Sequence, residues 1–346
     1  MMSWTSRDLL RARRIIDEVV TSLALDLRGK VVLTEAATGP FAVTASIAAV
    51  AGAQVEAVAA DSPFGSYAEA AEATREVARN CGVEQKIRIA SRIAAECGKA
   101  DVITNLGPLR PLDASFIARL KQGSVISLMY DAREARPGEI DLAACEERGI
   151  ALVGTNEDHP LVDVLRYSGH LVAKMLFEHQ IEVLRSRIGV IGDNLFTPHV
   201  IGELHRLGAQ VSAYRNWEEM TLEAAMPLDA VIYIDYWNRS GNPDSKEILT
   251  GLSKMAGATL VQFVGGLEIA PFSDAGWTVL PDRPLSPQRM WRTLADLGIR
   301  PVIELHAAGL KAAEMELCGV SPYSGGRLRG LRQNLTASQG TPVLAH

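Results

Sequence analysis

The sequence predicts an α/β protein with two doubly wound parallel-sheet domains joined by a long helix. Apolar strands alternate with helices twice along the chain, first from "KVVLTEA" at Lys30 and again from "RIGVIG" at Arg187. Continuous apolar strands of this kind are typical of a parallel sheet that helices cover on both faces. The length of 346 residues also favours two domains, since a domain averages roughly 150 residues.

The order of the elements gives the predicted domain boundaries. The first series of strands is KVVLTEA, QVEAVAAD, KIRIAS, ADVITNLG, SVISLMYD and IALVGT, and the second is RIGVIG, QVSAYR, DAVIYIDYW, TLVQFVGG and WTVLP. A helical stretch over roughly 160–184 connects the two series. We therefore predict domains over 1–165 and 166–305, followed by a C-terminal helix and tail over 306–346 that return towards the first domain. The last 26 residues, rich in Gly, Ser, Arg and Pro, are expected to be irregular.

Composition and charge exclude several classes of function. The chain is 47% hydrophobic and 22% charged with a net charge of −6, which argues against nucleic acid as the main partner. No run of about 18 apolar residues occurs, so no membrane-spanning helix is expected. The amphipathic N-terminal segment lacks the features of a signal peptide. The four cysteines are scattered without a C-x-x-C pair, which indicates reduced thiols, no metal site and a cytoplasmic protein.

The second series opens with a strand, a turn and a helix that have the layout of a Rossmann-like dinucleotide site. In the pattern G-x-G-x-x-G, Gly192 holds the first glycine position, Asn194 the second and Thr197 the third, with Asp193 between the first two. Thr197 and Pro198 also make a good helix start, with Thr197 as the N-cap. Two interpretations stay open. Either these four turn residues hold a nucleotide in an altered mode, or the layer has kept its fold without the cofactor.

Arg215 stands near the end of the next strand, 23 positions after Gly192. In a dinucleotide site this position usually carries an acidic residue that binds the ribose hydroxyls. An arginine there can instead pair with a 2′-phosphate, which favours NADP over NAD if either binds. The alternative is a surface arginine at a strand end.

The order of motifs over roughly residues 100–315 resembles the D-2-hydroxyacid dehydrogenase family. The segment "RPGEIDLAACEERGIALVGTNED" looks like the end of that family's substrate domain, and "IELHAAGLKAAE" looks like its H-x-A-G motif. The resemblance implies an NADP- or NAD-dependent oxidoreductase acting on a small hydroxy or carbonyl compound. It also places His306 at the position of the catalytic acid/base, and it implies a homodimer formed through the nucleotide domains and the connecting helices. Alternatively, His306 lies in a helix-start loop, where the backbone satisfies it.

The sequence departs from that family at functional positions. Val264 precedes a glycine pair where the family has the arginine that clamps the substrate carboxylate. The family's glutamate beside the histidine falls near Pro281, where Asp282 could substitute if the loop shifts. Glu268 and Glu304 are other possible acidic partners for the histidine.

Polar residues also end the strands of the first domain, where a substrate could bind. Arg110 in "LGPLRP" could pair with a carboxylate or phosphate, and the neighbouring Asn105 could offer hydrogen bonds. The stretch from Glu35 to Gly39, with Asp61 after the next strand, looks like the adenosyl site of S-adenosylmethionine-dependent methyltransferases. We therefore expect an oxidoreductase with a small-molecule substrate. The alternatives are a non-redox ligand-binding or assembly subunit of a biosynthetic complex and, on weaker motifs, such a methyltransferase.

Overall fold

A computed structural model describes residues 4–135, 138–223 and 227–320 of the chain. These residues form two compact units. The first contains the described residues up to Val164 together with those from Gly298 onward, and the second spans Leu165–Leu297. The predicted irregular tail over 321–346 lies outside the described residues.

The first unit contains a parallel sheet with the strand order β3-β2-β1-β4-β5-β6. Its strands are β1 (Val31–Glu35), β2 (Gln54–Val58), β3 (Ile87–Ala90), β4 (Val102–Thr104), β5 (Val125–Ser127) and β6 (Ala151–Val153). The chain moves outward from β1 to β3 and then returns to place β4 on the other side of β1. The crevice between β1 and β4 is therefore a topological switch point, where open α/β sheets bind their ligands.

Local sequence signals explain the helices of this unit. They are α1 (Ser6–Ser22), α2 (Thr44–Val50), α3 (Tyr67–Cys81), α4 (Ala114–Ile117) and α5 (Leu142–Glu147). Capping boxes begin α1 and α3, where Thr5 pairs with Asp8 and Ser66 pairs with Glu69. Gly82 ends α3 in the left-handed conformation, with φ of 72°.

The last described helix of the chain covers one face of this sheet. The Thr34 and Thr104 hydroxyls lie 2.9 Å apart between β1 and β4, and Ser127, next to Thr104 in the register, donates a 2.6 Å hydrogen bond to the Gly309 carbonyl. Gly309 belongs to this long helix, which runs over Ile299–Leu317. Because side chains alternate along a strand, Glu35 at the end of β1 faces the opposite side of the sheet.

The second unit is also built on a parallel sheet, with the order β11-β10-β9-β7-β8. Its strands are β7 (Arg187–Ile191), β8 (Gln210–Tyr214), β9 (Ala230–Tyr233), β10 (Thr259–Gln262) and β11 (Thr278–Leu280). Its helices are α6 (Tyr167–Glu178), α7 (Thr197–Arg206), α8 (Trp217–Glu223), α9 (Lys246–Ser253) and α10 (Ala270–Asp274), so the helix over Ile299–Leu317 is α11. A buried apolar cluster fills the unit between sheet and helices.

The predicted connecting helix is shorter than its pattern suggested. The helical pattern covers roughly 160–184, whereas α6 covers only Tyr167–Glu178. Asp163 and Gln180 have φ angles of 45° and 60°, and this left-handed backbone is incompatible with continuing an α-helix on either side. Gly169 lets α6 pack closely on α7, since a Cβ there would lie 2.5 Å from Glu203 Cβ.

The predicted fold class is confirmed. Each of the predicted strands corresponds to one of β1–β11, all pair in parallel, and helices flank both sheets. Among the described residues, no helix combines the length and apolar character that crossing a bilayer would require.

Candidate functional site

The turn between β7 and α7 requires a glycine at position 192. Gly192 has φ of 134°, and a Cβ at this position would lie 2.8 Å from Asp235 N and 2.9 Å from Asp235 Cα. Only glycine fits where the turn passes this close to the end of β9. The tight turn predicted from the sequence is therefore present.

Asn194 and Thr197 stabilise this turn from within. The Asn194 side chain donates to the Ile234 carbonyl at 2.6 Å through Nδ2 and accepts from the Phe196 N–H at 2.9 Å through Oδ1. The Thr197 hydroxyl donates to the Gly192 carbonyl at 2.9 Å. The amide of Asn194 is thus held by backbone groups of the turn and of the neighbouring strand.

One detail of the predicted helix start is wrong. Thr197 is the first residue of α7 instead of its N-cap, and its hydroxyl bonds back to the turn while no side chain caps the helix. Phe196 takes the N-cap position with its ring buried against Tyr236 and Phe263. Burial of this ring, and not a capping hydroxyl, holds the start of α7 in place. Asp193 is exposed beside the turn.

Gly192→Ala is expected to lower the free energy of unfolding of the second unit by about 2 kcal/mol, because the methyl group meets the Asp235 backbone in a conformation that disfavours side chains. The control is Gly241→Ala, at φ of 64° with open space around the Cβ position. Backbone strain alone should make that change cost about 1 kcal/mol. Urea unfolding of the two variants measures the difference, and equal costs would contradict the close approach.

Arg215 follows β8 directly and is 80% exposed at its side chain. Its backbone N–H donates to Glu219 Oε2 at 2.7 Å, and its Nε lies 3.2 Å from the same oxygen. These contacts lower the pKa of Glu219, with the backbone hydrogen bond as the largest cause. The terminal guanidinium nitrogens have no hydrogen-bond partner among the described residues, and the side chain extends into solvent.

His306 lies in the interior of α11, not in a helix-start loop, and is 2% exposed. Its Nδ1 is 2.7 Å from the Thr44 hydroxyl, and its ring lies 6.0 Å from that of Phe41. Burial lowers the pKa of His306 to about 4, so the imidazole is neutral at neutral pH. Its predicted role as acid/base stays a prediction, now with the condition that a substrate must reach a buried ring.

Two of the acidic residues predicted as partners of His306 belong to the second unit, and the third lies on α11 itself. Asp282 is exposed on a loop of the second unit, after β11, whereas His306 belongs to the first unit. Glu304 pairs with Arg300 at 3.3 Å along α11, and the Glu268 N–H bonds to Asn242 Oδ1 at 2.9 Å. Burial is the one cause that accounts for the low pKa of His306.

Glu35 is a buried carboxyl group at the switch point of the first unit. It ends β1 with 7% of its surface exposed and has no hydrogen bond or ion pair to any described residue. Burial raises the pKa of Glu35 to about 7, while the charge of Arg110 acts in the opposite direction. Gly107, with φ of 43°, lies directly on this carboxyl, since a Cβ there would overlap Glu35 Oε2.

Asn105 follows the neighbouring strand β4 and is 1% exposed. Its Oδ1 accepts a 2.9 Å hydrogen bond from the Met129 N–H, and its Nδ2 is buried without a partner among the described residues. Arg110, a few residues further on, pairs with Glu139 Oε1 at 3.1 Å, and the Tyr130 hydroxyl bonds to the other carboxylate oxygen of Glu139. Polar groups from the loops that follow β4 and β5 thus meet at this edge.

The sequence indicated some of these residues, but for other reasons. Asn105 and Arg110 were predicted as polar residues at strand ends that could bind a substrate. Glu35 was predicted only as part of a motif resembling methyltransferases. Glu139 was not predicted. The sequence feature that could have indicated Glu35 is its position at the end of an apolar strand. A carboxylate there lies at the edge of the sheet without a partner nearby in the sequence. No cluster of three or more His, Cys, Asp or Glu in the described parts of the chain could hold a metal ion.

Comparison with known proteins finds solved structures with a similar fold. The sequence matches no protein-family model and no curated protein. The structure is similar to a subunit of dipicolinate synthase from Bacillus halodurans, with a TM-score of 0.52 and 13% identity over 85% of this chain and 98% of that one. It is also similar to the corresponding chain of dipicolinate synthase from Bacillus subtilis, with a TM-score of 0.55 and 12% identity over 86% and 99% of the two chains.

A weaker likeness, with a TM-score of 0.43, is to the NAD-dependent formate dehydrogenase from Staphylococcus aureus in complex with NAD. The two share 12% identity, over 83% of this chain and 95% of that one. At such identities the comparisons concern the fold alone. For the fold, these similarities agree with the predicted arrangement of two α/β domains, each built on a parallel sheet.

Proposed function

We propose that the protein is an NAD(P)-dependent oxidoreductase that acts on a small hydroxy or carbonyl compound. The observation that carries the proposal is the β7–α7 turn. Gly192 supplies the tight turn, and the Asn194 side chain is bonded inward to the Ile234 carbonyl instead of extending over the helix start. The side chain that replaces the second glycine therefore leaves the approach to the N-terminus of α7 open to a pyrophosphate.

The residues around this turn fit a dinucleotide. The first turn of α7 contains no acidic residue, so its positive dipole end is not neutralised from within the helix. The exposed Asp193 carboxylate can accept hydrogen bonds from ribose hydroxyls. The terminal nitrogens of Arg215 can bind a 2′-phosphate, which favours NADP over NAD. When bound, the nicotinamide ring would accept or donate a hydride.

The first unit would bind the small substrate and accept the proton that its oxidation releases. Oxidation of an alcohol to a carbonyl compound, with the bound cofactor as the hydride acceptor, would release the hydroxyl proton, which a base must accept. A base with a pKa near neutrality suits this task. His306, with its pKa lowered to about 4, is a weak base, whereas Glu35, with its pKa raised to about 7, is better matched to it.

Titration with NADPH and NADH tests the proposal. We expect NADPH to bind more tightly than NADH, and Arg215→Ala to weaken NADPH binding about tenfold while NADH binding changes little, because only NADPH offers a 2′-phosphate. Arg206→Ala is the matched control, since Arg206 is also exposed and paired with a glutamate, at the other end of α7. Calorimetry gives the affinities. If neither dinucleotide binds at about 1 mM, where the binding free energy is only about −4 kcal/mol, the proposal is wrong.

A non-redox role is the second candidate. The observation that favours it is the internal bonding of the turn, in which the polar side chains of Asn194 and Thr197 are already used. The Bacillus halodurans protein, which shares the fold, is named as one subunit of dipicolinate synthase. A chain that binds neither dinucleotide in the titration would support this role in ligand binding or assembly.

A further inference from the structure

We infer that Glu35 and Asn105 form a binding site for one hydroxyl group of a small, uncharged ligand at the switch point of the first unit. The inference rests on the proposed function, because this ligand class would supply the hydroxy compound that is oxidised. It concerns residues of the first unit only, and its test needs no dinucleotide.

The register of the sheet brings the two side chains together. Glu35 lies two residues beyond Leu33 and Asn105 two residues beyond Ile103, and Leu33 and Ile103 are register partners in β1 and β4. The hydroxyl pair of Thr34 and Thr104 shows that the register holds up to the strand ends. Because side chains alternate, Glu35 and Asn105 face the same side, away from α11.

Asn105 supplies a hydrogen-bond donor that the protein leaves unused. The Met129 N–H can donate only to an oxygen, so this bond fixes Oδ1 and leaves the amide NH₂ group on the other side. That NH₂ group is buried and has no partner among the described residues. A buried donor without an acceptor is costly and rare, which indicates that a bound molecule provides the acceptor.

Glu35 supplies the matching acceptor. Its carboxyl is buried, and none of the described residues bonds to it or pairs with it. The close approach of Gly107 to Oε2 holds the loop after β4 over this carboxyl. Because the Gly107 backbone covers Oε2, Oε1 is the oxygen that can accept a hydrogen bond from a ligand.

The chemistry of the two groups selects a hydroxyl over a carboxylate. One O–H group can accept from Asn105 Nδ2 and donate to Glu35 at the same time. Two hydrogen bonds of about 2.8 Å to a single ligand oxygen can join side chains that extend from neighbouring strands. A ligand carboxylate would instead meet the Glu35 carboxyl, while the nearby cation Arg110 is already paired with Glu139.

The test is an NMR titration of the full-length protein with glycerol, sodium acetate and no nucleotide. The signal is the side-chain amide pair of Asn105, identified by its loss in Asn105→Ser. We expect a saturable shift with glycerol and none with acetate. Glu35→Leu should weaken glycerol binding about tenfold, the effect of losing one hydrogen bond to a charged group. Glu35→Gln keeps an acceptor oxygen and should stay within about threefold of the wild type.

Three outcomes would overturn the inference. An Asn105 signal that glycerol does not move would mean that water alone fills the site. A shift with acetate but not with glycerol would mean a carboxylate site. Equal affinities of the wild type and Glu35→Leu for glycerol would mean that Glu35 is not part of the binding site. The wild-type titration decides even if Glu35→Leu does not fold. Since NADPH titration is a separate measurement on the second unit, failure of either proposal is recognisable by itself.

Discussion

Glu35→Gln is expected to stabilise the protein at about pH 8 while leaving its stability at about pH 4 little changed. Burial raises the pKa of Glu35 from 4.5 to about 7. The stability that this group contributes is therefore complete below pH 4.5, where both states bind the proton, and is lost as the pH rises to about 7. The difference corresponds to about 3 kcal/mol in the free energy of unfolding, and glutamine, which does not ionise, avoids this loss.

Urea unfolding at a series of pH values measures this effect. The matched control is Glu56→Gln on the neighbouring strand β2, because Glu56 is equally buried but pairs with Arg88 at 2.5 Å. That change removes an ion pair, so it should destabilise the protein at pH 8. If Glu35→Gln instead lost stability at pH 8, Glu35 would have a partner that stabilises its charge, and the proposed hydroxyl site would lose its acceptor.

His306→Gln is expected to have the opposite pH dependence. Burial lowers the pKa of His306 from 6.5 to about 4. The stability that depends on the neutral imidazole is complete above pH 6.5 and is lost as the pH falls to about 4, because the unfolded chain binds the proton first. This loss also corresponds to about 3 kcal/mol, and the glutamine variant should not show it. Its amide can still bond to the Thr44 hydroxyl.

The control for this prediction separates burial from hydrogen bonding. Thr44→Val removes the 2.7 Å contact with Nδ1 and keeps the histidine buried. Because burial is the cause of the low pKa, this variant should keep the acid sensitivity of the wild type. Unchanged acid sensitivity in His306→Gln would show that another group is responsible. In the wild type the two opposite effects overlap between about pH 4 and 7, so its stability should vary less with pH than that of either variant.

Much of the fold could be predicted because its determinants are local. Apolar runs such as "KVVLTEA" and "DAVIYIDYW" predict strands from a few neighbouring residues, since a buried parallel strand needs no polar face. Capping pairs such as Thr5 with Asp8 act over three residues, and this pair begins α1. The limits of α6 could not be predicted in this way. Asp163 and Gln180 adopt left-handed backbone, and neither is a glycine, which is the residue type that would have predicted this conformation.

By itself, the sequence determined the α/β class, the alternation of strands and helices, and the tight turn at Gly192. Only the tertiary structure decided the state of the polar residues. It turned the Asn194 amide inward, buried His306 beside Thr44, and left the Glu35 carboxyl and the Asn105 NH₂ group without a hydrogen-bond partner among the described residues. The physical reason is distance along the chain. Strand and turn formation depend on neighbours a few residues away, whereas burial, hydrogen bonding and pKa depend on groups that only the folded sheet brings together, such as Thr34 and Thr104, 70 residues apart.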